Sequence, residues 1–210
     1  MKRITLVTLL FLFFGSSISF AQEIQTLFKG SRPSGAYGAI SNKFTTIKGE
    51  YANIAEIYGG LFINRKFLVG LSLAATTNDL KVPAQYSVIP QQDMSWQYGQ
   101  FGLVTEYVFG SNKVVHFNFT LFSGAGFTLQ YDRNDYDGWS DDDDDFDSAH
   151  DSNFFCVIEP GVQVEVNLLR WLRLSPGISY RKTFGSDGIG LRDNDLSNLS
   201  YNVTLKVGKF

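Results

Sequence analysis

The sequence has 210 residues, with 18 Lys and Arg against 21 Asp and Glu and a formal net charge of −3. Aromatic residues make up 15% of the chain and charged residues only 19%, which excludes a disordered chain because such chains are poor in aromatics and rich in charge. The 20 glycines show no regular period and Cys156 is the only cysteine, so collagen-like and disulfide-stapled folds are excluded as well. Length and aromatic content favour a single all-β domain.

The beginning of the chain has the features of a secretory signal peptide. Lys2-Arg3 forms a basic start, Leu6 to Phe14 form an apolar stretch, and Ser19-Phe20-Ala21 places small residues at a cleavage site. The apolar stretch is too short to cross a bilayer as a helix. The sequence therefore predicts export and three segments: a signal peptide at 1–21, a periplasmic lead-in at 22–34 and the folded domain at 35–210.

Strict alternation of residue character dominates the rest of the chain. From Phe117 to Leu129 one parity is mostly Phe, Leu and Ala, whereas the other parity carries Asn, Thr and two glycines. A period of two indicates β-strands with one apolar and one polar face. Most segments exceed the about 9–11 residues that a strand needs to cross a bilayer. Eight strands are predicted, at residues 35–47, 51–63, 67–77, 96–109, 114–130, 154–168, 172–184 and 197–209.

The connections between these strands differ in length. Three are short, at 64–66, 110–113 and 169–171, and alternate with a tight turn at 48–50 and three long linkers at 78–95, 131–153 and 185–196. Short turns on the periplasmic side and longer loops outside are typical of outer-membrane barrels. Because open sheet edges are not tolerated in lipid, a membrane-embedded sheet must also close on itself. The sequence therefore predicts an all-β fold, an eight-stranded antiparallel up-and-down transmembrane β-barrel.

The signal peptide, the eight alternating segments and a final aromatic residue together resemble the small eight-stranded, porin-like outer-membrane β-barrel family of Gram-negative bacteria. The resemblance implies an outer-membrane location, contact with outer-membrane lipid and handling by the barrel-assembly machinery. In that family the last Phe is usually in phase with the lipid-facing residues. Here Phe210 has the opposite parity to Leu205 and Val207, which predicts either a bulge near Gly208 or a displaced strand end.

The polar faces of the predicted strands carry charges of both signs. An eight-stranded barrel has room inside only for side chains, and unpaired charges there are costly, so we expect these residues to pair in the lumen. Glu159 and Glu165 precede the strand of Arg173 and Arg181, which makes pairing between neighbouring strands natural. A proton path or a ligand-binding lumen is the alternative. The predicted lumenal cluster contains Glu56, Glu106, Glu159, Glu165, Arg173 and Arg181.

A second candidate feature is an acidic segment. Ten of the 21 acidic residues lie between Asp132 and Asp151, including the run Asp141, Asp142, Asp143, Asp144 and Asp145. Clustered carboxylates attract hard cations such as Ca²⁺ or Mg²⁺, but a plain run lacks the spacing of a dedicated site and is typical of a solvated loop. We predict a solvated outer loop, with weak divalent-cation binding as the alternative and no other cofactor.

Catalysis is not predicted. Barrel lipid-A deacylases carry a His-x-Ser pair on one strand, but the corresponding residues here are His116-Phe117-Asn118, which supply no hydroxyl nucleophile. The chain has no nucleotide-binding glycine motif and no basic stripe for nucleic acid. The sequence predicts a structural or interaction-type barrel, plugged inside and displaying the acidic loop. Two alternatives remain: a narrow transport barrel for a small solute or apolar molecule, and a soluble periplasmic lipid-binding barrel with its apolar faces inward.

Overall fold

The computed structural model describes residues 33–132 and 150–210, and the predicted signal peptide and the Asp141–Asp145 run lie outside these residues. Eight long strands are present in the described part of the chain, and every predicted strand end lies within about four residues of the observed one. They are β1 Pro33–Ile47, β2 Glu50–Ile63, β3 Phe67–Thr76, β4 Met94–Phe109, β5 Val115–Asp132, β6 His150–Leu169, β7 Leu172–Phe184 and β8 Asn198–Lys209.

The eight strands form one closed antiparallel sheet. Each strand pairs with the next along the chain, and β1 pairs with β8, with Ala36 opposite Lys209 and Phe44 opposite Tyr201. A closed sheet leaves no strand edge to be satisfied by water, which is the requirement for a sheet that lies in lipid. The predicted eight-stranded antiparallel barrel is confirmed.

The strand connections separate into two ends of the barrel. We call the end with the turns at 64–66, 110–114 and 170–171 the inner rim, and the opposite end the outer rim. The outer rim holds the two-residue strand Leu80–Lys81, the 3-10 turn Ala84–Tyr86, a hairpin of Asp187–Gly188 with Leu191–Arg192, and the single-turn helix α1, Asp193–Leu196. No helix within residues 33–132 and 150–210 is long and apolar enough to span a bilayer.

The outward face of the barrel is apolar. Ile40, Leu71 and Phe117 are 67%, 68% and 56% exposed, and comparable Leu, Val and Phe side chains cover the outside of every strand. Charged side chains such as Glu106 and Lys206 are buried inside instead. A lipid-binding barrel in solution would need the reverse arrangement, so the soluble alternative was wrong. The wall has the apolar exterior of a transmembrane barrel.

Neighbouring strands approach closely at cross-strand glycine pairs, among them Gly60 with Gly70 and Gly102 with Gly124. A Cβ atom added to Gly70 would lie 2.1 Å from the carbonyl oxygen of Gly59, and one added to Gly102 would lie 2.5 Å from Cα of Gly124. Both distances are far below van der Waals contact, and the obstructing atoms belong to the backbone. Glycine at these positions therefore permits the close approach of neighbouring strands.

The seam between β6 and β7 has an interrupted ladder. Paired residues run from Cys156 to Ile158, from Gly161 to Gln163, and then resume only at Val166. Pro160 lies in the first gap, and Pro176 lies on β7 opposite the second gap. Because proline has no N–H to donate, each one removes a ladder hydrogen bond at the same seam.

Candidate functional site

The inner half of the lumen is organised around Glu106. Its carboxylate accepts hydrogen bonds from the hydroxyl of Tyr58, at 2.6 Å, and from the hydroxyl of Tyr37. The ammonium of Lys206 lies 2.7 Å from the same carboxylate. Strand alternation places these four side chains in the lumen, because they occupy inward positions on β4, β2, β1 and β8. Glu106 is thus buried with one cation and two hydroxyl donors around it.

Glu165 joins this group from the other side. Lys206 reaches it at 3.1 Å and the guanidinium of Arg173 at 2.6 Å, so Lys206 bridges two carboxylates. The side-chain amide of Asn118 donates to Glu165 at 2.8 Å, and Nε2 of His116 lies 3.3 Å from it. His116 is therefore part of a buried ionic group in the lumen and does not face the lipid.

A second ionic group occupies the outer half of the lumen. The ammonium of Lys43 lies 3.0 Å from Glu159 and 3.1 Å from Glu56. The hydroxyl of Ser179 donates to Glu159 at 2.6 Å, and the side-chain amide of Gln100 donates to it at 3.2 Å. One lysine thus neutralises part of the charge of two carboxylates that reach it from β2 and β6.

Arg181 behaves differently from the other lumenal cations. Its Nε donates to the carbonyl oxygen of Leu196 at 2.7 Å, and its guanidinium carbon lies 4.7 Å from the centroid of the Tyr98 ring. Within the described residues it forms no ion pair, and its Nη2 has no hydrogen-bond partner. Arg181 therefore binds the last residue of α1 from inside the lumen. The ion-pair partner of Glu159 is Lys43 instead.

Apolar side chains close both ends of the lumen. At the outer end Leu191 and Leu196, from the segment between β7 and β8, pack in one buried cluster with Trp96 and Tyr98. At the inner end Phe210 packs against Tyr37, with ring centroids 4.9 Å apart. The register of β8 is continuous up to Lys209, so the predicted bulge near Gly208 is absent. Phe210 keeps the inward parity that its sequence position predicts.

A small polar cavity of about 30 Å³ lies between the two ionic groups. Its walls include Lys43, Glu56, Glu106, Glu159 and Gln163. A cavity needs about 10–15 Å³ to hold one water molecule, so this one has room for about two. All six residues predicted for the lumen are buried inside the barrel, together with four that sequence analysis did not select: Lys43, Lys206, Tyr37 and Tyr58.

No group of His, Cys, Asp and Glu side chains that could hold a metal ion occurs in residues 33–132 or 150–210. The only acidic residues of the predicted cation-binding segment that the structure describes are its two ends, Asp132 on β5 and Asp151 on β6. One carboxylate oxygen of Asp151 accepts a hydrogen bond from the backbone N–H of Ile189 at 2.8 Å. Asp151 therefore anchors the hairpin at the outer rim.

No protein-family model matches the sequence, and no curated protein matches it in sequence. Several solved structures share its fold, and two of them are compared with it. The crystal structure of Neisserial surface protein A is 13% identical, with 86% of this chain and 99% of that chain covered and a TM-score of 0.55. The crystal structure of a major outer membrane protein from Thermus thermophilus is 11% identical, with coverages of 82% and 98% and a TM-score of 0.51.

The closed wall, its apolar exterior and its ionic interior define a transmembrane β-barrel. Both similar structures are outer-membrane or surface proteins, and the fold that this chain shares with them is that of the small eight-stranded outer-membrane barrels. The predicted fold class is thereby confirmed.

Proposed function

We propose that this protein is a plugged outer-membrane anchor of structural or interaction type, which holds its outer segments at the cell surface and performs no catalysis. The filled lumen carries this proposal. An apolar cluster stands at each end, and between them Glu56, Glu106, Glu159 and Glu165 are each paired with Lys43, Lys206 or Arg173. Space for about two water molecules does not make a pathway for a solute.

Single-channel recording in planar bilayers tests the plug. The folded chain, verified by its heat-dependent gel shift, is expected to insert and to give no discrete conductance steps. Gramicidin added afterwards shows that the same membrane reports channels. Steady openings from the folded chain would instead support the transport alternative.

The outer rim is the surface that such an anchor displays. In the described part of the chain it carries eight carboxylate side chains and only four cationic ones, Lys48, Lys81, Lys182 and Arg192. The carboxylates belong to Glu50, Asp79, Asp93, Asp132, Asp151, Asp187, Asp193 and Asp195. The segment at 133–149 joins β5 to β6 and adds the run Asp141–Asp145. The charge favours a cationic envelope or extracellular partner, or weak capture of Ca²⁺ or Mg²⁺.

A variant with Asp141 to Asp145 replaced by Asn tests whether the acidic run can be changed without loss of barrel stability. We expect its urea unfolding midpoint in liposomes to match that of the wild type, because the run lies outside the described wall. Calorimetry at millimolar Ca²⁺ is expected to give a weak heat with the wild type and none with the variant. No heat from the wild type would end the cation-binding proposal, and a large loss of stability would contradict the separation.

A further inference from the structure

The inner rim carries an exposed ring of positive charge. Every turn at this rim contributes a cation: Arg65 and Lys66 between β2 and β3, Lys113 between β4 and β5, and Arg170 between β6 and β7. Lys209 adds a fifth at the end of β8. All five residues are exposed, and Lys66, Lys113, Arg170 and Lys209 form no ion pair within the described residues. We call these five residues the basic ring.

No Asp or Glu side chain in the described part of the chain forms an ion pair with Lys66, Lys113, Arg170 or Lys209. The nearest carboxylates, Glu106 and Glu165, are buried in the lumen and paired with Lys206. The remaining described acidic side chains lie in the outer half of the lumen or at the outer rim. The barrel is therefore electrically polarised along its axis, with positive charge at the end that faces the periplasm in the proposed orientation.

The basic ring also lies close to the apolar exterior. The turns that carry it have two to five residues, and exposed apolar side chains adjoin them, among them Phe67, Val114 and Trp171, at 40%, 69% and 53% exposure. Aromatic side chains, tryptophan among them, are enriched at the level of the lipid headgroups in membrane proteins. Cations on such short turns are held at that level and cannot extend far from the bilayer.

We propose that the basic ring binds the anionic headgroups of inner-leaflet phospholipids, with phosphatidylglycerol as the representative chemistry. This inference rests on the proposed outer-membrane function, because it assigns the inner rim to the phospholipid leaflet. Clustered Lys and Arg at a membrane surface attract anionic lipid, and the attraction is weakened by salt. The ring thereby selects the lipids around the barrel and fixes its inner end at the interface.

Trp171 offers a local reporter, since it follows Arg170 directly and is half exposed. Trp96 is buried in the lumen, so lipid-borne quenchers do not reach it. The experiment uses the full mature chain with Trp139→Phe, refolded into vesicles. Quenching by brominated phosphatidylglycerol is compared with quenching by brominated phosphatidylcholine at equal mole fraction. We expect a preference of about threefold for the anionic lipid at low salt, falling towards one in 0.5 M NaCl.

Two matched triple variants locate the effect. The inner variant carries Lys66→Gln, Lys113→Gln and Arg170→Gln, and the outer variant carries Lys81→Gln, Lys182→Gln and Arg192→Gln. Each removes two lysines and one arginine. The proposal expects the preference to be lost in the inner variant and kept in the outer one. No preference in the parent chain, or equal loss in both variants, overturns it. Failure of the parent chain to insert contradicts the proposed function instead.

Discussion

The guanidinium carbon of Arg173 lies 3.7 Å from the centroid of the Phe210 ring, while its Nη1 donates to Glu165 at 2.6 Å. One side of this cation therefore faces the buried carboxylate and the other faces the ring that closes the inner end of the lumen. A cation against an aromatic face is attractive, and more so where water is excluded. Phe210 thus couples the end of β8 to the ionic group of the lumen.

Substitution of Phe210 by Ala is expected to lower the free energy of unfolding by about 2 kcal/mol, since it removes ring packing and the contact with Arg173. Urea titration of the refolded chain in liposomes, followed by gel shift, measures the loss. Phe154→Ala is the control, because that ring is 67% exposed on the lipid face. Equal losses in the two variants would contradict a specific role for Phe210.

Among the lumenal cations, replacement of Lys206 is expected to lower the free energy of unfolding the most. Lys206→Met leaves Glu106 and Glu165 short of a shared positive charge, and loss of one partner of a buried ion pair costs about 3–5 kcal/mol. Lys209→Met changes the same strand but removes only an exposed cation, and is expected to change the urea midpoint little. A double variant with Glu106→Gln should recover part of the loss. If both lysine variants are equally stable, the bridging contacts do not matter.

The close approach of β2 and β3 makes Gly70 intolerant of a side chain. Gly70→Ala is expected either to prevent folding or to cost more than about 2 kcal/mol, because the new methyl group meets backbone atoms. Gly38→Ala is the matched control, since a Cβ there would have one neighbour within 4 Å, the carbonyl oxygen of Tyr58 at 3.9 Å. Refolding yield by gel shift separates the two. Normal folding of Gly70→Ala would disprove the close approach.

Replacement of either proline at the β6–β7 seam is expected to stabilise the barrel. Pro160→Val and Pro176→Val each restore a backbone N–H at a ladder gap, and we expect each to raise the free energy of unfolding by about 1 kcal/mol. Pro83→Val, outside the barrel strands, serves as the control and should have little effect. Hydrogen exchange of the β6 and β7 amides should slow in the same two variants. Unchanged exchange would mean that the seam is closed by other contacts.

Alternation was sufficient to predict the strands and the faces of their residues. Glu106, Glu165 and Arg173 were selected because a period of two places them opposite the apolar face, and they lie in the lumen as that argument requires. Lys206 had the same signal, since it alternates with Leu205 and Val207. Lys43 was harder to find, because the outward face of β1 includes Gly38 and Asn42 and its alternation is weak.

The partners across the lumen could not be predicted in this way. Pairing between neighbouring strands was expected for Glu159, yet its cation is Lys43 on β1, which is not adjacent to β6. Which side chains meet inside a barrel depends on strand tilt and stagger, and a periodic pattern does not report either quantity. The inward direction of Phe210 followed from parity, whereas its contact with Arg173 required the three-dimensional arrangement.

The strands differ in length, and the longest ones determine which side of the barrel an approaching surface contacts first. The turns at 64–66, 110–114 and 170–171 join their strands at the inner rim, so the extra residues of β5 and β6, with 18 and 20 residues against 10 in β3, project at the outer end. A 20-residue strand tilted by about 40° rises about 50 Å, roughly twice the about 25 Å height of the apolar band. β5 and β6 therefore extend further beyond the apolar band than the other strands. An approaching surface contacts that side of the outer rim first.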